Sequence, residues 1–461
     1  MSVRVKQGAQ AAGRQQVDVV LEADFTGAAC RVGTLFHAAA HGRATFSFAY
    51  DAEWLKRPGA FEIDPDLQLH TGESYPSDAA GVFRIFLDSA PDRWGRLLLD
   101  RRELLRAREE KRKPRVLTEW DYLLGVHDIC RMGALRFRRE DGAPFLDDDR
   151  QLAAPPLASL RELEAASLAL EEPDAAEHPQ FRQWLTALLA PGSSLGGARP
   201  KANFTDLDGA LWIAKFPSRE DRRDMGAWEM VVHQLAGAAG VLVPEARTLA
   251  LASRHRTFAC RRFDRTTANR RRFFVSAMTL LGRVDGQGGS YLDLAEFLST
   301  RGSARHKADD LKQLWTRVVF NILVSNTDDH LRNHGFILES DGWRLAPAYD
   351  LICTAVYPGI SGTLAMAIGD QYQADQVTPR HWAQLLAECD LDTMALRRRM
   401  ARLAEALADD AGPVAQDLRD RGANGEILDA IAATIQRRAR PIIALPDWRR
   451  GGRSEPVEAP H

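Results

Sequence analysis

A helix, a polar loop and two strands follow one another in residues 320–350, and this stretch constrains the fold more than any other. We expect the helix to end near Ser325, before the loop Asn-Thr-Asp-Asp-His-Leu-Arg-Asn, in which Asp328 and Asn333 are five positions apart. The helix itself is predicted by apolar residues at helical spacing that should face a core, namely Leu311, Leu314, Val318, Val319, Ile322 and Leu323.

A hairpin is predicted after the loop. Its strands should lie at residues 335–339 and 343–345, and the Ser-Asp-Gly sequence between them is typical of a tight turn. If the hairpin is centred on that turn, Asn333 lies opposite Asp350 at its open end. Two side-chain oxygens that suit a metal ion would then meet there.

Asp328, Asn333 and Asp350 offer the groups that phosphoryl transfer needs. One carboxylate can orient and deprotonate an attacking hydroxyl, while an amide and a second carboxylate can hold Mg²⁺ on nucleotide phosphates. The interval between Asp328 and Asn333 is also that of kinase catalytic loops. A polar loop in which Asp328 or Asp329 caps a neighbouring element is the simpler interpretation, and the spacing alone leaves both open.

The same residues resemble the HipA-like serine/threonine kinases, the toxin subunits of bacterial type II toxin–antitoxin pairs. The family signature T-D-x-H-x-K/R-N appears at residues 327–333, and its P-x-Y-D appears at residues 347–350. The resemblance implies that Asp328 is the catalytic base and that Asn333 and Asp350 bind Mg²⁺.

A Gly/Ser loop at residues 192–201 precedes two predicted strands at residues 201–204 and 211–216. Such a loop can bring backbone N–H groups close to phosphate oxygens, although no Walker A spacing is present. Lys215 lies in the second strand of a chain with only eight lysines, and a compact ammonium suits the α- and β-phosphates. Glu229, on the next predicted helix, is the expected partner of Lys215.

The family resemblance extends to this nucleotide end. Arg-Phe-Asp-Arg at residues 262–265 matches a family motif whose backbone contacts adenine and whose Asp faces the ribose. The resemblance also implies an autophosphorylated serine, for which Ser194 is the expected position. The full set of expected ATP-binding residues is Ser193, Ser194, Leu195, Gly196, Gly197, Lys201, Lys215, Glu229, Arg262, Phe263, Asp264 and His330.

The N-terminal part should be rich in β-structure. Strands are predicted within residues 18–48, with a turn at His41 and Gly42. Residues 81–96 are similar to the family's F-x-x-x-x-P-D-x-W-G-R element, which we expect to serve packing. The basic run at residues 101–115 is interpreted as a solvated helix face, with a docking surface for an anionic partner as the alternative.

Composition excludes several classes of protein. A formal net charge of −2 makes the whole chain a poor nonspecific nucleic-acid binder. The five cysteines show no C-x-x-C spacing, so neither a zinc site nor a disulfide scaffold is indicated. No run of about 18 apolar residues occurs, and we expect a soluble cytoplasmic protein with no membrane partner.

The expected fold is α+β, a bilobal protein-kinase-like fold of HipA type with a β-rich N-terminal subdomain and a mainly helical C-terminal lobe. The expected segments are a disordered N-terminus at 1–17, an N-terminal subdomain at 18–145, a helical connection at 146–190, a nucleotide-binding part at 191–265, a catalytic helical lobe at 266–445 and a flexible tail at 446–461.

The preferred function is that of an ATP- and Mg²⁺-dependent protein Ser/Thr kinase. The resemblance implies a growth-arresting toxin that phosphorylates a translation component such as an aminoacyl-tRNA synthetase. It also implies a small helix-turn-helix antitoxin of HipB type, with DNA contacted only through that antitoxin. Two alternatives stay open, a small-molecule phosphotransferase and a catalytically silent partner of the antitoxin.

Overall fold

The computed structural model describes residues 14–40, 43–77, 81–148, 154–191, 197–354, 363–368 and 370–373, together with isolated positions between 425 and 435. The chain divides into two compact units. The first unit comprises residues 1–227, 244–287 and 332–340, and the second comprises residues 228–243, 288–331 and 341–461. The N-terminal subdomain, the connection and much of the expected nucleotide-binding part therefore share the first unit.

An antiparallel sheet forms the N-terminal part, as its alternating apolar residues predict. Its five strands run in the order β4-β3-β2-β1-β5. Phe46 and Phe48 are buried on β3, while Gly33 on β2 lets the strands approach because a Cβ there would lie 2.2 Å from the Ala49 carbonyl oxygen. The strands are β1 (Gln15–Leu21), β2 (Cys30–Ala40), β3 (Arg43–Tyr50), β4 (Glu73–Ser74) and β5 (Leu135–Arg138).

Six α-helices are described in the part of the first unit that precedes residue 201. They are α1 (Ala52–Lys56), α2 (Arg84–Asp88), α3 (Arg93–Glu109), α4 (Glu119–Gly125), α5 (Leu160–Leu170) and α6 (Phe181–Leu189). Helix α3 ends inside the predicted basic run. There the buried carboxylate of Glu103 forms ion pairs with Arg112 and Arg115, so the run folds back on its own helix.

A second antiparallel sheet carries the expected nucleotide-binding strands at the predicted positions. It comprises β6 (Lys201–Thr205), β7 (Leu211–Lys215), β8 (Ala246–Leu249) and β9 (Thr257–Arg261), in the order β6-β7-β9-β8. Phe204 and Trp212 are buried in one apolar cluster with Trp94 of α3 and with residues of α5 and α6. Because protein interiors are close-packed, this buried cluster makes the sheet a rigid support for the loop that precedes it.

Strand β10 (Phe273–Ser276) continues the first unit, leads into α8 (Ala277–Leu280) and pairs antiparallel with β12 (Gly335–Glu339). Gly335 stands opposite Ser276 in this pairing. A Cβ on Gly335 would lie 2.0 Å from Cε2 of Phe274, so the start of β12 accepts only glycine without displacing that ring.

Replacing Gly335 by alanine should therefore destabilise the protein by about 1–3 kcal/mol, the usual cost of overpacking a core. Thermal or urea unfolding measures this change. Gly237→Ala is the matched control, because a Cβ there meets only Val243 at 3.7 Å. Alanine at a helical position with such space should be neutral or stabilising. Equal stability of the two variants would contradict the role given to Gly335.

The second unit is mixed in the part that the structure describes. Its elements are most of α7 (Met225–Ala238), then β11 (Gly289–Ser290), α9 (Tyr291–Arg301), α10 (Lys307–Leu323), β13 (Gly342–Leu345), β14 (Thr363–Ile368) and β15 (Gln371–Gln373). β14 pairs parallel with β11 and antiparallel with β15. A two-residue turn, Ser340 and Asp341, separates β12 from β13, as predicted.

The fold is α+β. The expected helices beyond residue 380 lie outside the described residues, apart from isolated helical positions between 425 and 435. The described helices include none with the length and apolar character needed to cross a membrane.

Candidate active site

Helix α10 ends in a hydrogen-bonded motif that sets the direction of the polar loop. Ser325 has a positive φ of 54°, and its N–H donates to the Ile322 carbonyl at 3.1 Å. The N–H of Asn326 donates to the Asn321 carbonyl at 2.7 Å. These two bonds form a Schellman ending, which satisfies carbonyls that the helix leaves unpaired. The loop therefore starts from a fixed point and direction.

Thr327 fixes the loop from a second side. Its hydroxyl oxygen lies 2.7 Å from that of Thr354, and the Ala365 N–H donates to its carbonyl at 2.9 Å. The Thr354 N–H in turn donates to the Ser325 carbonyl at 3.0 Å. Both threonines are buried. The residue immediately before Asp328 is thus held by packing and hydrogen bonds.

The two adjacent aspartates of the loop have opposite environments. Asp329 is 4% exposed, and its Oδ2 accepts hydrogen bonds from the Tyr291 hydroxyl at 2.6 Å and from Asn321 Nδ2 at 2.7 Å. Asp328 and His330 are exposed to solvent. One carboxylate therefore anchors the loop to α9 and α10, while its neighbour is presented outward. The interval to Asn333 singled out Asp328 in the sequence, but it did not predict that Asp329 would be the buried anchor.

The buried charge of Asp329 has a buried counter-charge in Arg317. That side chain donates to the Ala346 carbonyl and is 2% exposed. Burial lowers the pKa of Arg317 to about 10, against the opposing charges of Asp329 and Asp310. The guanidinium therefore stays protonated at neutral pH. Burial also raises the pKa of Tyr291, and the Asp329 charge adds to this effect, so the phenol remains a donor.

The two expected metal ligands lie in different units. Asn333 belongs to the first unit, is the last residue of a short 3₁₀ turn, Leu331–Asn333, and is 8% exposed. Asp350 is partly buried in the second unit and has a positive φ of 56°. Residues other than glycine rarely adopt this backbone conformation, and those that do are concentrated at functional sites. The pairing of Asn333 with Asp350 stays a prediction.

The donor types fit Mg²⁺ in a nucleotide complex. There the ion is held by one or two protein oxygens together with phosphates and water, and an amide and a carboxylate are ligands of this kind. Among the residues that the structure describes, no group of three or more His, Cys, Asp or Glu side chains could hold a metal ion.

The two strand lysines differ in their surroundings. Lys201 is 1% exposed, and its Nζ lies 2.5 Å from Asp92 Oδ2 and 3.1 Å from the Gly197 carbonyl oxygen. Lys215 is partly exposed, with its Nζ 5.8 Å from the ring centroid of Phe258. The sequence predicts both as ATP-binding residues. In the structure the ammonium of Lys201 forms a buried ion pair, because a carboxylate from the N-terminus of α3 reaches it, and the ATP-binding role of both lysines stays a prediction.

Pro191, just before the Gly/Ser loop, and Gly197, within it, are both anchored by hydrogen bonds. The Pro191 carbonyl accepts the Asn203 backbone N–H at 2.7 Å and its side-chain Nδ2 at 2.8 Å. The Gly197 carbonyl accepts the Trp94 N–H at 3.4 Å, and Gly197 has a positive φ of 96°. Four of the expected ATP-binding residues lie outside the described residues: Ser193, Ser194, Leu195 and Gly196.

Two side chains of the Arg-Phe-Asp-Arg motif, those of Arg262 and Asp264, are paired with each other. Arg262 donates from Nε and Nη2 to Asp264 at 2.9 and 2.7 Å, and the Gly133 N–H donates to the same carboxylate at 2.9 Å. Arg265 adds a second donor side chain, and the carboxylate of Asp264 is 1% exposed. In this structure these donors occupy the carboxylate of Asp264, and its expected role at a ribose stays a prediction. Phe263 remains partly exposed.

The electrostatics of this cluster explain its burial. Burial alone would raise the pKa of Asp264, but the charges of Arg262 and Arg265 hold that pKa below its usual range. Arg262 also donates to the Asn203 side chain at 2.8 Å and to the Cys130 carbonyl at 2.8 Å. The cluster therefore ties the segment around Cys130 to strand β6. The side chains of Arg262 and Asp264 thus have a structural role, and the backbone contact with adenine that the resemblance implies stays a prediction.

Comparison with known proteins agrees with this architecture. The HipA N-terminal domain matches residues 26–120, and the HipA-like C-terminal domain matches residues 193–411. The solved structure of the Shewanella oneidensis toxin HipA with HipB and its operator DNA superposes with a TM-score of 0.66 at 17% identity, covering 93% of this chain and 98% of that one. The fold is therefore the protein-kinase-like fold of HipA.

Two curated relatives point the same way. The chain is 30% identical over 155 residues to the putative kinase Y4mE of Sinorhizobium fredii, covering 34% of this chain and 36% of that protein. It is 24% identical over 243 residues to the serine/threonine-protein kinase toxin HipA of Shewanella oneidensis, covering 47% and 56%. The matches thus span about a third to somewhat over half of these relatives' length. The chain belongs to the HipA-like kinase family.

Proposed function

We propose that this protein transfers the γ-phosphate of ATP to a serine or threonine hydroxyl of a protein. The observation that carries the proposal is that Asp328 is exposed while the adjacent Asp329 is buried. A general base must be reachable by its substrate and yet fixed in position. Asp328 is exposed, whereas its neighbours Thr327 and Asp329 are buried and hydrogen-bonded.

Each remaining group has a defined task in this proposal. The Asp328 carboxylate orients the acceptor hydroxyl and takes its proton, and Lys215 offers a cation to the α- and β-phosphates. Asn333 and Asp350 would hold Mg²⁺, which neutralises charge on the phosphates when it is bound. Glu229, partly buried on α7, is proposed to orient Lys215, and His330 and Phe263 to border the nucleotide.

Replacing Lys215 by methionine should weaken Mg-ATP binding about 10- to 100-fold, because a charge-assisted bond to phosphate is lost. Isothermal titration or a nucleotide-dependent thermal shift measures the change. Lys312→Met, on α10, is the matched control and should bind Mg-ATP as the wild type does. Unchanged affinity in Lys215→Met would remove Lys215 from the site.

The partner and target belong to the same proposal. The neighbour of known structure was solved with HipB and operator DNA, which supports a small helix-turn-helix antitoxin of HipB type for this chain. A growth-arresting role in the cytoplasm, with a translation component such as an aminoacyl-tRNA synthetase as target, follows from the family resemblance. Autophosphorylation at Ser194 would add a charge of about −1.5 to −2 to the loop proposed to bind the ATP phosphates, and this charge would inhibit ATP binding.

The acceptor class is tested by dividing a bacterial lysate into a protein fraction and a small-molecule fraction. Each is incubated with the protein and Mg-ATP labelled at the γ-phosphate. Label on a discrete protein, as phosphoserine or phosphothreonine, supports the proposal. Label confined to the small-molecule fraction would instead establish a small-molecule phosphotransferase. Operator binding with an antitoxin but no transfer to either fraction would establish a silent partner.

A further inference from the structure

Two lysines stand directly opposite each other on neighbouring strands of the nucleotide-binding sheet. Lys201 on β6 is the register partner of Lys215 on β7, so their side chains leave the same face of the sheet. Like charges placed directly opposite each other destabilise a sheet. Such a pair needs a nearby negative charge, and the structure supplies one.

Asp92 supplies that charge from outside the sheet. It lies 109 residues before Lys201, and the Asp92 and Lys201 side chains are 6% and 1% exposed. Asp92 is also the N-cap of α3, where its Oδ1 accepts the Gly95 N–H at 2.8 Å. Trp94 braces the same contact, since its Nε1 donates to the Lys201 carbonyl at 3.1 Å. The carboxylate is thus positioned by a rigid, buried element.

The ion pair also reaches the loop end. Lys201 Nζ donates to the Gly197 carbonyl as well as to Asp92, and Gly197 accepts from the Trp94 backbone. The Pro-Asp-Arg-Trp-Gly-Arg element, for which the sequence predicts only packing, therefore holds both the lysine and the end of the Gly/Ser loop. Removing one partner of a buried pair leaves an uncompensated charge, which is strongly unfavourable.

We propose that Asp92 is an internal counter-anion for Lys201, and that the phosphates of a bound nucleotide take over its role. In the nucleotide-free protein the carboxylate neutralises one of the two opposed lysines. When phosphate approaches the loop, the same carboxylate repels it and competes for the ammonium. Asp92 therefore stabilises the free protein at the expense of nucleotide affinity. This inference rests on the proposed ATP site.

The test is Asp92→Asn in the full-length chain, with Mg-ATP as the probe. Asparagine keeps an oxygen that can accept the Gly95 N–H, so the cap of α3 is retained while the charge is removed. The variant should melt at a lower temperature without nucleotide and show a larger rise in melting temperature with saturating Mg-ATP than the wild type. Its Kd for Mg-ATP should be about ten-fold lower.

Asp66→Asn is the matched control. Asp66 pairs with the buried Arg84 at 2.9 Å in the same unit. This variant should also melt lower, but its affinity for Mg-ATP and its nucleotide-dependent rise should equal those of the wild type. A general softening of the fold, by contrast, would change both variants alike.

A double-variant cycle shows whether Asp92 acts through Lys201. Combined with Lys201→Met, Asp92→Asn should no longer tighten Mg-ATP binding. Equal or weaker affinity of Asp92→Asn alone, or the same gain without Lys201, would overturn the inference. A wild-type protein that fails to bind Mg-ATP would overturn the proposed function itself, which separates the two failures.

Discussion

Asp328→Asn should slow phosphoryl transfer about 10²- to 10⁴-fold, the usual contribution of a positioned general base. The asparagine amide cannot take the proton of the acceptor hydroxyl. Because Asp328 is exposed and the loop is held by its neighbours, the fold and the affinity for Mg-ATP should change little. The loss should therefore appear in kcat and not in the KM for ATP.

Initial rates with saturating Mg-ATP and a labelled protein acceptor measure this effect. Asp309→Asn is the control, because Asp309 is an exposed acid in the first turn of α10 and should retain the wild-type rate. Circular dichroism and the melting temperature confirm that both variants are folded. A rate for Asp328→Asn within a few-fold of the wild type would exclude Asp328 as the base.

Asp329→Ala should lower the free energy of unfolding by about 3–5 kcal/mol, the usual cost of breaking a buried charged network. The substitution leaves the Tyr291 hydroxyl and Asn321 Nδ2 without their shared acceptor and removes a charge that faces Arg317. Asp329→Asn keeps one acceptor oxygen and should cost less. Asp329→Ala should also lose transfer activity, because the loop that positions Asp328 would no longer be held in place.

Denaturant unfolding gives the stability change, and hydrogen exchange across residues 324–333 shows where it occurs. We expect protection in that segment to fall sharply in Asp329→Ala and to be retained in Asp328→Asn. Asp309→Ala, which removes an exposed carboxylate, should stay within about 1 kcal/mol of the wild type. If Asp328→Asn were the less stable of the two loop variants, the assignment of roles would have to be reversed.

The local structure of the site followed from the sequence. Apolar periodicity predicted the helix that ends at Leu323, and alternation with turn residues predicted the strands at Lys201–Thr205 and Leu211–Lys215. The strand, turn and strand after the polar loop at residues 326–333 were also found where the pattern placed them. These features depend on neighbours in the chain, which is the information that a sequence pattern contains.

The side-chain partnerships could not be predicted in the same way. Lys201 meets Asp92 across 109 residues, and the Asp264 carboxylate accepts from the Gly133 N–H across 131 residues. Tyr291 is likewise 38 residues from Asp329. Such contacts are set by tertiary packing, so the sequence does not show which polar side chains are buried and paired and which are exposed. The adjacent Asp328 and Asp329 are the sharpest instance.

Transfer of label from Mg-ATP, labelled at the γ-phosphate, tests the central claim most directly. The purified full-length protein is incubated with bacterial lysate proteins, beside Asp328→Asn at equal concentration. We predict phosphoserine or phosphothreonine on a discrete protein with the wild type, and its near-complete absence with the variant. Demonstrable Mg-ATP binding without label on any protein, or equal labelling by the variant, would contradict the assignment of a protein kinase that uses Asp328.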